Sequence, residues 1–183
     1  MGTPALLIID MVNRFDFEGG DALAAAALEL VPEILRLRRS FDRAGHPVIY
    51  ANDNFTDWKG GFPHLVASCQ AQGGASGAIA SSLAPAPGHF HLLKPKHSAF
   101  LGTPLQILLA QLAVDRLVLT GIATDSCILA TAQDAHMRDY ALAIPSDATA
   151  ALTSRRRRQA LDLARGALGA STAKARSVAR ARR

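Results

Sequence analysis

Three side chains of this 183-residue chain have the types and positions to do chemistry together: a carboxylate at Asp10, an ammonium at Lys94 and a thiol at Cys127. Cys127 follows Thr120-Gly121-Ile122-Ala123-Thr124-Asp125-Ser126 and opens an apolar-periodic stretch, Ile128 to Met137, that reads as a helix. A thiol in the first turn of a helix faces unpaired N–H groups and the positive end of the dipole, and both favour thiolate. Asp125 opposes that trend if it points inward; as an N-cap it would point toward the helix amides. The competing reading of Cys127 is a small buried hydrophobe, as most free cysteines are. Asp10 ends an otherwise apolar run, where a lone carboxylate is costly to bury and must be paired or sit at the rim. Partial burial raises a carboxylate's pKa and suits it to accept a thiol proton, although a loop cap would explain Asp10 as well. Lys94 closes a similar run and could pair with Asp10 and steady a thiolate or a developing oxyanion. Lys96, two residues on, is an equal rival by position.

The elements that must position these groups are short. Apolar runs recur at Ala5-Leu6-Leu7-Ile8-Ile9, Pro47-Val48-Ile49-Tyr50-Ala51, Phe90-His91-Leu92-Leu93, Arg116-Leu117-Val118-Leu119-Thr120 and Tyr140-Ala141-Leu142-Ala143-Ile144. Each is bounded by polar, Gly or Pro residues and reads as a strand buried on both faces. Between them lie helix-period stretches at about Leu23 to Ala44, Pro104 to Leu112, Cys127 to Asp139 and Ser154 to Leu168. Strands alternating with helices imply right-handed βαβ units and a parallel sheet covered on both sides, a three-layer α/β/α, Rossmann-like fold. The Gly/Ala/Ser stretch Gly73 to Ser82 reads as a loop or mobile lid. Ligands in such folds sit beyond the carboxyl ends of the strands. That rule gathers Asp10, Asn52 with Asp53, Lys94 and Gly121 to Cys127 on one rim.

Composition bounds the alternatives. Hydrophobic residues make up 49% of the chain, enough for one well-formed core and against wholesale disorder. No run approaches the roughly 20 apolar residues of a membrane span, and Met1 to Asp10 lacks the regions of a signal peptide, so a cytoplasmic location is expected. Cys69 and Cys127 form neither a secreted disulfide framework nor a metal-binding spacing. Residues 151–183 hold ten of the 20 Lys and Arg but one of the 15 acids, so the net charge of +5 belongs to the C-terminal segment. The division expected is a domain over 1–170 and a basic tail over 171–183. The Arg155-Arg156-Arg157-Arg158 run reads first as a solvated helix face, and second as a surface for nucleic acid or an acidic partner.

Three motifs then carry a family resemblance. Leu7-Ile8-Ile9-Asp10-Met11, the run Lys94-Pro95-Lys96-His97-Ser98-Ala99-Phe100 with Thr103-Pro104-Leu105, and Thr120 to Cys127 followed by Thr131-Ala132-Gln133-Asp134-Ala135 together resemble the isochorismatase-like cysteine hydrolases, in order over about residues 5 to 150. The resemblance implies Lys94 rather than Lys96, because the family lysine precedes Ser-Ala-Phe by four positions. It implies a six-stranded, mostly parallel sheet, whose sixth strand would have to come from about Ala173 to Val178 as a short edge strand. Asp10 would take the thiol proton, Cys127 would attack a carbonyl, and Lys94 would hold the charge pattern together. It further implies a cis peptide at Ile122–Ala123 and an oxyanion hole made by the amides of Ala123 and Cys127. Family members commonly associate, so a homo-oligomer is implied too.

Departures narrow the reaction. Val12 stands where many relatives carry Gln. Asn52-Asp53-Asn54-Phe55 lacks the Asp-x-His pair through which the family's nicotinamidases bind metal, and a lone His64 does not replace it. No metal and no cofactor are therefore expected. Isochorismatases proper need no cysteine, so retention of Cys127 favours amide or carbamoyl C–N cleavage in a small molecule over vinyl-ether hydrolysis. Phe15, Trp58 and Phe62 flank the expected rim and could stack on a flat substrate, or pack as core and loop residues. Asn54 could orient a substrate carbonyl or make a turn. Cys69 reads as structural, and Asp134 and Asp147 as caps. The ranking is a cysteine hydrolase first, with a vinyl-ether hydrolase or a non-catalytic protein binding through the basic tail as alternatives.

Overall fold

The computed structural model describes residues 2–55 and 58–180. Its strands are β1 (Thr3–Ile9), β2 (Val48–Asp53), β3 (Phe90–Lys94), β4 (Val114–Ile122), β5 (Ala141–Ala143) and β6 (Thr149–Ala150). Its helices are α1 (Gly20–Arg43), α2 (Phe62–Gln72), α3 (Gly74–Ser82), α4 (Leu105–Gln111), α5 (Leu129–His136), α6 (Ser154–Leu168) and α7 (Ala175–Arg180), with a π turn at Thr124–Ile128 leading into α5. The six strands form one parallel sheet in the order β3-β2-β1-β4-β5, and β6 also pairs with β4. The five apolar runs are all strands, and the expected α/β architecture is the observed one.

The pleat of β1 divides the core. Leu6 and Ile8 face one apolar layer with Leu30, Ile34 and Leu37 of α1, while Leu7 and Ile9 face the other with Leu105, Leu109, Ala132 and Leu161. Each strand residue is thus covered whichever way it points, which is why these runs are continuously apolar. Among the described residues no helix is long and apolar enough to cross a membrane.

Two expectations are corrected. The stretch 73–82 is not a loop: Gly74–Ser82 is helical, with Ile79 and Ala80 buried. Its small residues let it lie close to α2, where a Cβ on Gly77 would come 3.2 Å from the Gln70 carbonyl, and Ser76 Oγ anchors it by donating to Asn13 O at 2.7 Å. The sixth strand does not come from residues 173–178. It is Thr149–Ala150, beside Gly121–Ile122, while Ala175–Arg180 is a helix with Ala175 and Val178 buried in the α1 layer. Asp147 secures that helix by accepting from the Ala175 N–H at 2.7 Å. Residues 181–183 of the expected tail lie outside the described residues.

Gly121 fixes how β4 meets β1 at the rim. Its φ is +109°, and a Cβ there would stand 2.0 Å from the Ile9 carbonyl oxygen, a backbone atom that cannot yield. Gly121→Ala is therefore expected to destabilise the fold by about 3 kcal/mol or more. Urea denaturation midpoints of the variant and the native chain check this.

Candidate active site

The strand order brings the charged residues together. Asp10 follows the last residue of β1, Lys94 ends β3, and β2 lies between them, its Asp53 in register with Lys94. Asp10 turns out of the strand with φ 54° while its N–H still donates to Ala51 O at 3.0 Å. Its Oδ1 accepts the Asp53 N–H at 2.7 Å, and its Oδ2 pairs with Lys94 Nζ at 2.9 Å. Lys94 is 1% exposed, yet its ammonium has an acceptor for each of its three protons. Besides Asp10 these are Lys96 O at 3.2 Å and Cys127 Sγ at 3.4 Å. The geometry selects Lys94 over Lys96, which supplies only a backbone carbonyl.

Neighbouring side chains hold these ends in place. Asn52 is buried and receives the Val12 N–H at 3.1 Å while donating to Val12 O at 2.8 Å, which binds the chain after Asp10 to the end of β2. Thr131 Oγ1 donates to Cys127 O at 2.7 Å and accepts the Ala99 N–H at 3.0 Å. One hydroxyl therefore ties the turn bearing the thiol to the loop that follows Lys94. Ser98 adds a hydrogen bond to Asp134, which is itself paired with Arg138 at 2.8 Å. Asp134 thus fastens the Ser-Ala-Phe loop to α5 rather than capping a helix.

Burial dominates the electrostatics. It pushes the Asp10 carboxyl above its usual range even though Lys94 pulls the other way. Burial alone would lower the Lys94 ammonium, but Asp10 and Cys127 outweigh it and hold the group firmly protonated. For Cys127, burial followed by the Asp10 charge pushes the thiol up to about 12, with Lys94 opposing. The thiolate expected from a helix start is therefore not the resting form. Cys127 lies in a π turn and rests as a thiol, with the Asp10 carboxylate near enough for its charge to act on the sulfur.

The sulfur opens on a cleft of about 320 Å³. Phe17, Leu23, Ile122 and Leu152 give it apolar walls; Asn13, Asp53, His97, Asp125, Ser126 and Arg156 give it polar ones. Ala123 lies beside the sulfur, and the Ile122–Ala123 peptide is cis. None of the four aromatic or amide candidates lines this cleft. Phe15 is buried in the α1 layer, Trp58 is 61% exposed, and Phe62 packs on the Tyr50 and His91 rings beside a separate hollow along β3. The backbone N–H of Asn54 donates to Asp53 Oδ1 at 2.8 Å. The sequence reading missed Phe17, Leu152 and Arg156. Arg156 was hidden in a run of four arginines, but Thr153 signals its place: the Thr153 hydroxyl caps α6 by accepting the Arg156 N–H at 3.2 Å, and Arg156 then pairs with Asp125 at the cleft mouth. Among the described residues no group of three or more His, Cys, Asp or Glu side chains is arranged to hold a metal ion.

A parallel α/β sheet with an acid, an ammonium and a thiol at its carboxyl edge defines a class of hydrolase scaffold. A family model, the Isochorismatase domain, matches residues 4–177, and the chain belongs to this family of hydrolases. It is 40% identical over 146 residues to the isochorismatase family protein YaaI of Bacillus subtilis, covering 80% of each chain. It is 28% identical over 173 residues to the ureidoacrylate amidohydrolase RutB of Stutzerimonas stutzeri, covering 79% of this chain and 68% of the other. The N-carbamoylsarcosine amidase of Thermoplasma acidophilum superposes with a TM-score of 0.72 at 27% identity, covering 94% of this chain and 96% of that one.

A resting thiol makes a spectroscopic prediction. Because the folded pKa of Cys127 is raised, the thiol keeps its proton through neutral pH and loses it only near 12. The far-ultraviolet thiolate absorbance of the native chain, minus that of Cys127→Ala, should stay flat from about pH 6 to pH 9. A step in that interval would mean a preformed thiolate.

Proposed function

We propose that the chain is a cysteine hydrolase that cleaves an amide or carbamoyl C–N bond in a small molecule. The observation that carries this is one thiol set against a buried ion pair: Lys94 Nζ stands 3.4 Å from Sγ and 2.9 Å from Asp10 Oδ2, and the Asp10 charge acts on the thiol. Asp10 takes the Cys127 proton as sulfur attacks the carbonyl carbon, so that thiolate never has to exist free in the buried site. Lys94 keeps its own proton throughout and balances the charge that forms. The resemblance implies an oxyanion hole built from the Ala123 and Cys127 amides, and both residues line the cleft. The amine leaves with one added proton, water attacks the acyl- or carbamoyl-enzyme and gives up one proton in its place, and Asp10 returns its own proton to the departing sulfur.

The relatives support the class of bond. Ureidoacrylate and N-carbamoylsarcosine, the compounds named for two similar proteins, each present a carbonyl flanked by nitrogen. The cleft has room for a molecule of that scale, with apolar Phe17 and Leu152 and the Asp125–Arg156 pair among its walls. A role for the basic segment in nucleic acid binding gains no support here, because Arg156 is turned to Asp125 and Arg165 pairs with Asp162 at 2.6 Å.

The test is a panel of primary amides and ureido compounds assayed for ammonia release. Cys127→Ala should lose activity by at least about 10³-fold on any compound the native chain accepts, with an unchanged unfolding midpoint. Retained ammonia release in that variant would contradict the covalent route.

A further inference from the structure

His97 lies on the cleft, on the open side of the sulfur. Asp10 and Lys94 approach Sγ from the buried side, whereas the exposed His97 ring brings Nδ1 to 3.8 Å from Sγ. That ring is held in register with the sulfur. Ser98 and Ala99, the next two residues, are fixed to α5, and the Thr131 hydroxyl that takes the Ala99 N–H also bonds the Cys127 carbonyl. The nitrogen leaving a tetrahedral adduct is two bonds from the sulfur. On the open side of the sulfur it can come within the hydrogen-bond reach of about 2.6–3.2 Å that an acid at this position needs.

The other groups near the sulfur have other work: Asp10, on its buried side, carries the proton that returns to sulfur. Asp10 has one oxygen on the Asp53 N–H and the other on Lys94. Arg156 cannot release a proton and is paired with Asp125, while Asp53 accepts the Asn54 N–H. Resting on the hydrolase reading above, we propose that His97 is the catalytic acid that protonates the leaving amine. Cys127 gives its proton to Asp10 as the S–C bond forms, and an imidazolium at His97 gives one to nitrogen as the C–N bond breaks. The neutral ring then takes a proton from the attacking water, a new C–O bond replaces S–C, and Asp10 returns its proton to sulfur. Every group ends as it began.

The test varies the leaving group. The best amide from the panel is compared with the p-nitrophenyl ester of the same acyl or carbamoyl group, whose leaving phenolate needs no proton. In His97→Gln, kcat/KM for the amide should fall at least about 100-fold while that for the ester changes less than about threefold. The ester also reports that the variant is folded and its thiol competent. Equal loss on both substrates, or no loss on either, overturns the assignment. Cys127→Ala separates this result from the parent reading, because it must abolish both activities whatever His97 does. If the native chain cleaves no amide in the panel, both readings fall together.

Discussion

The structure depends on one ion pair that stability alone would not select. Asp10 and Lys94 are 4% and 1% exposed, and removing two charges from water costs more than their mutual attraction commonly returns. The fold compensates with hydrogen bonds. The Asp53 N–H, the Lys96 carbonyl and the Cys127 sulfur complete the coordination of the pair, and each comes from a different segment. Such an arrangement requires three strand ends in the order β3-β2-β1 and a fourth, β4, to deliver the sulfur. The sheet topology is thus the means by which one thiol comes beside a buried carboxylate and a buried ammonium.

That pair also explains the reactivity assigned to the thiol. A free thiolate in this setting would sit in a poorly hydrated place beside the Asp10 charge, and the thiol form prevails. In the proposed mechanism Asp10 resolves this difficulty, because it takes the proton only as the sulfur finds a carbon to bond. As Asp10 is neutralised, the negative charge passes to the oxygen of the adduct while Lys94 stays protonated, so no free thiolate develops.

The sequence disclosed those parts of the molecule that obey short-range rules. Strand runs, helix periods and the polar residue at each strand end are local signals, and they placed Asp10, Lys94 and Cys127 on one rim. Position alone does not separate Lys94 from Lys96; the Ser-Ala-Phe motif does, and it is the Lys94 ammonium that points inward to Asp10. Parts with no local signal were misread. Thr149–Ala150 is too short for any periodicity, and residues 73–82 form a helix on packing against α2 rather than on amphipathic pattern. The cleft walls were the least legible. Phe15 and Phe17 differ by two positions, yet one enters the core and the other faces the cleft, a choice made by the loop's path. Arg156 reaches the mouth only because α6 begins where Thr153 caps it.

The most direct measurement is the covalent state of the sulfur during turnover. The native chain is mixed with an excess of an accepted amide, quenched in acid within the first turnovers, digested and mapped by mass spectrometry. The mechanism requires the mass of the acyl or carbamoyl group on the peptide carrying Cys127, absent from the Cys69 peptide and absent in Asp10→Asn. Product formation with an unmodified Cys127 at every quench time would contradict the account at its centre.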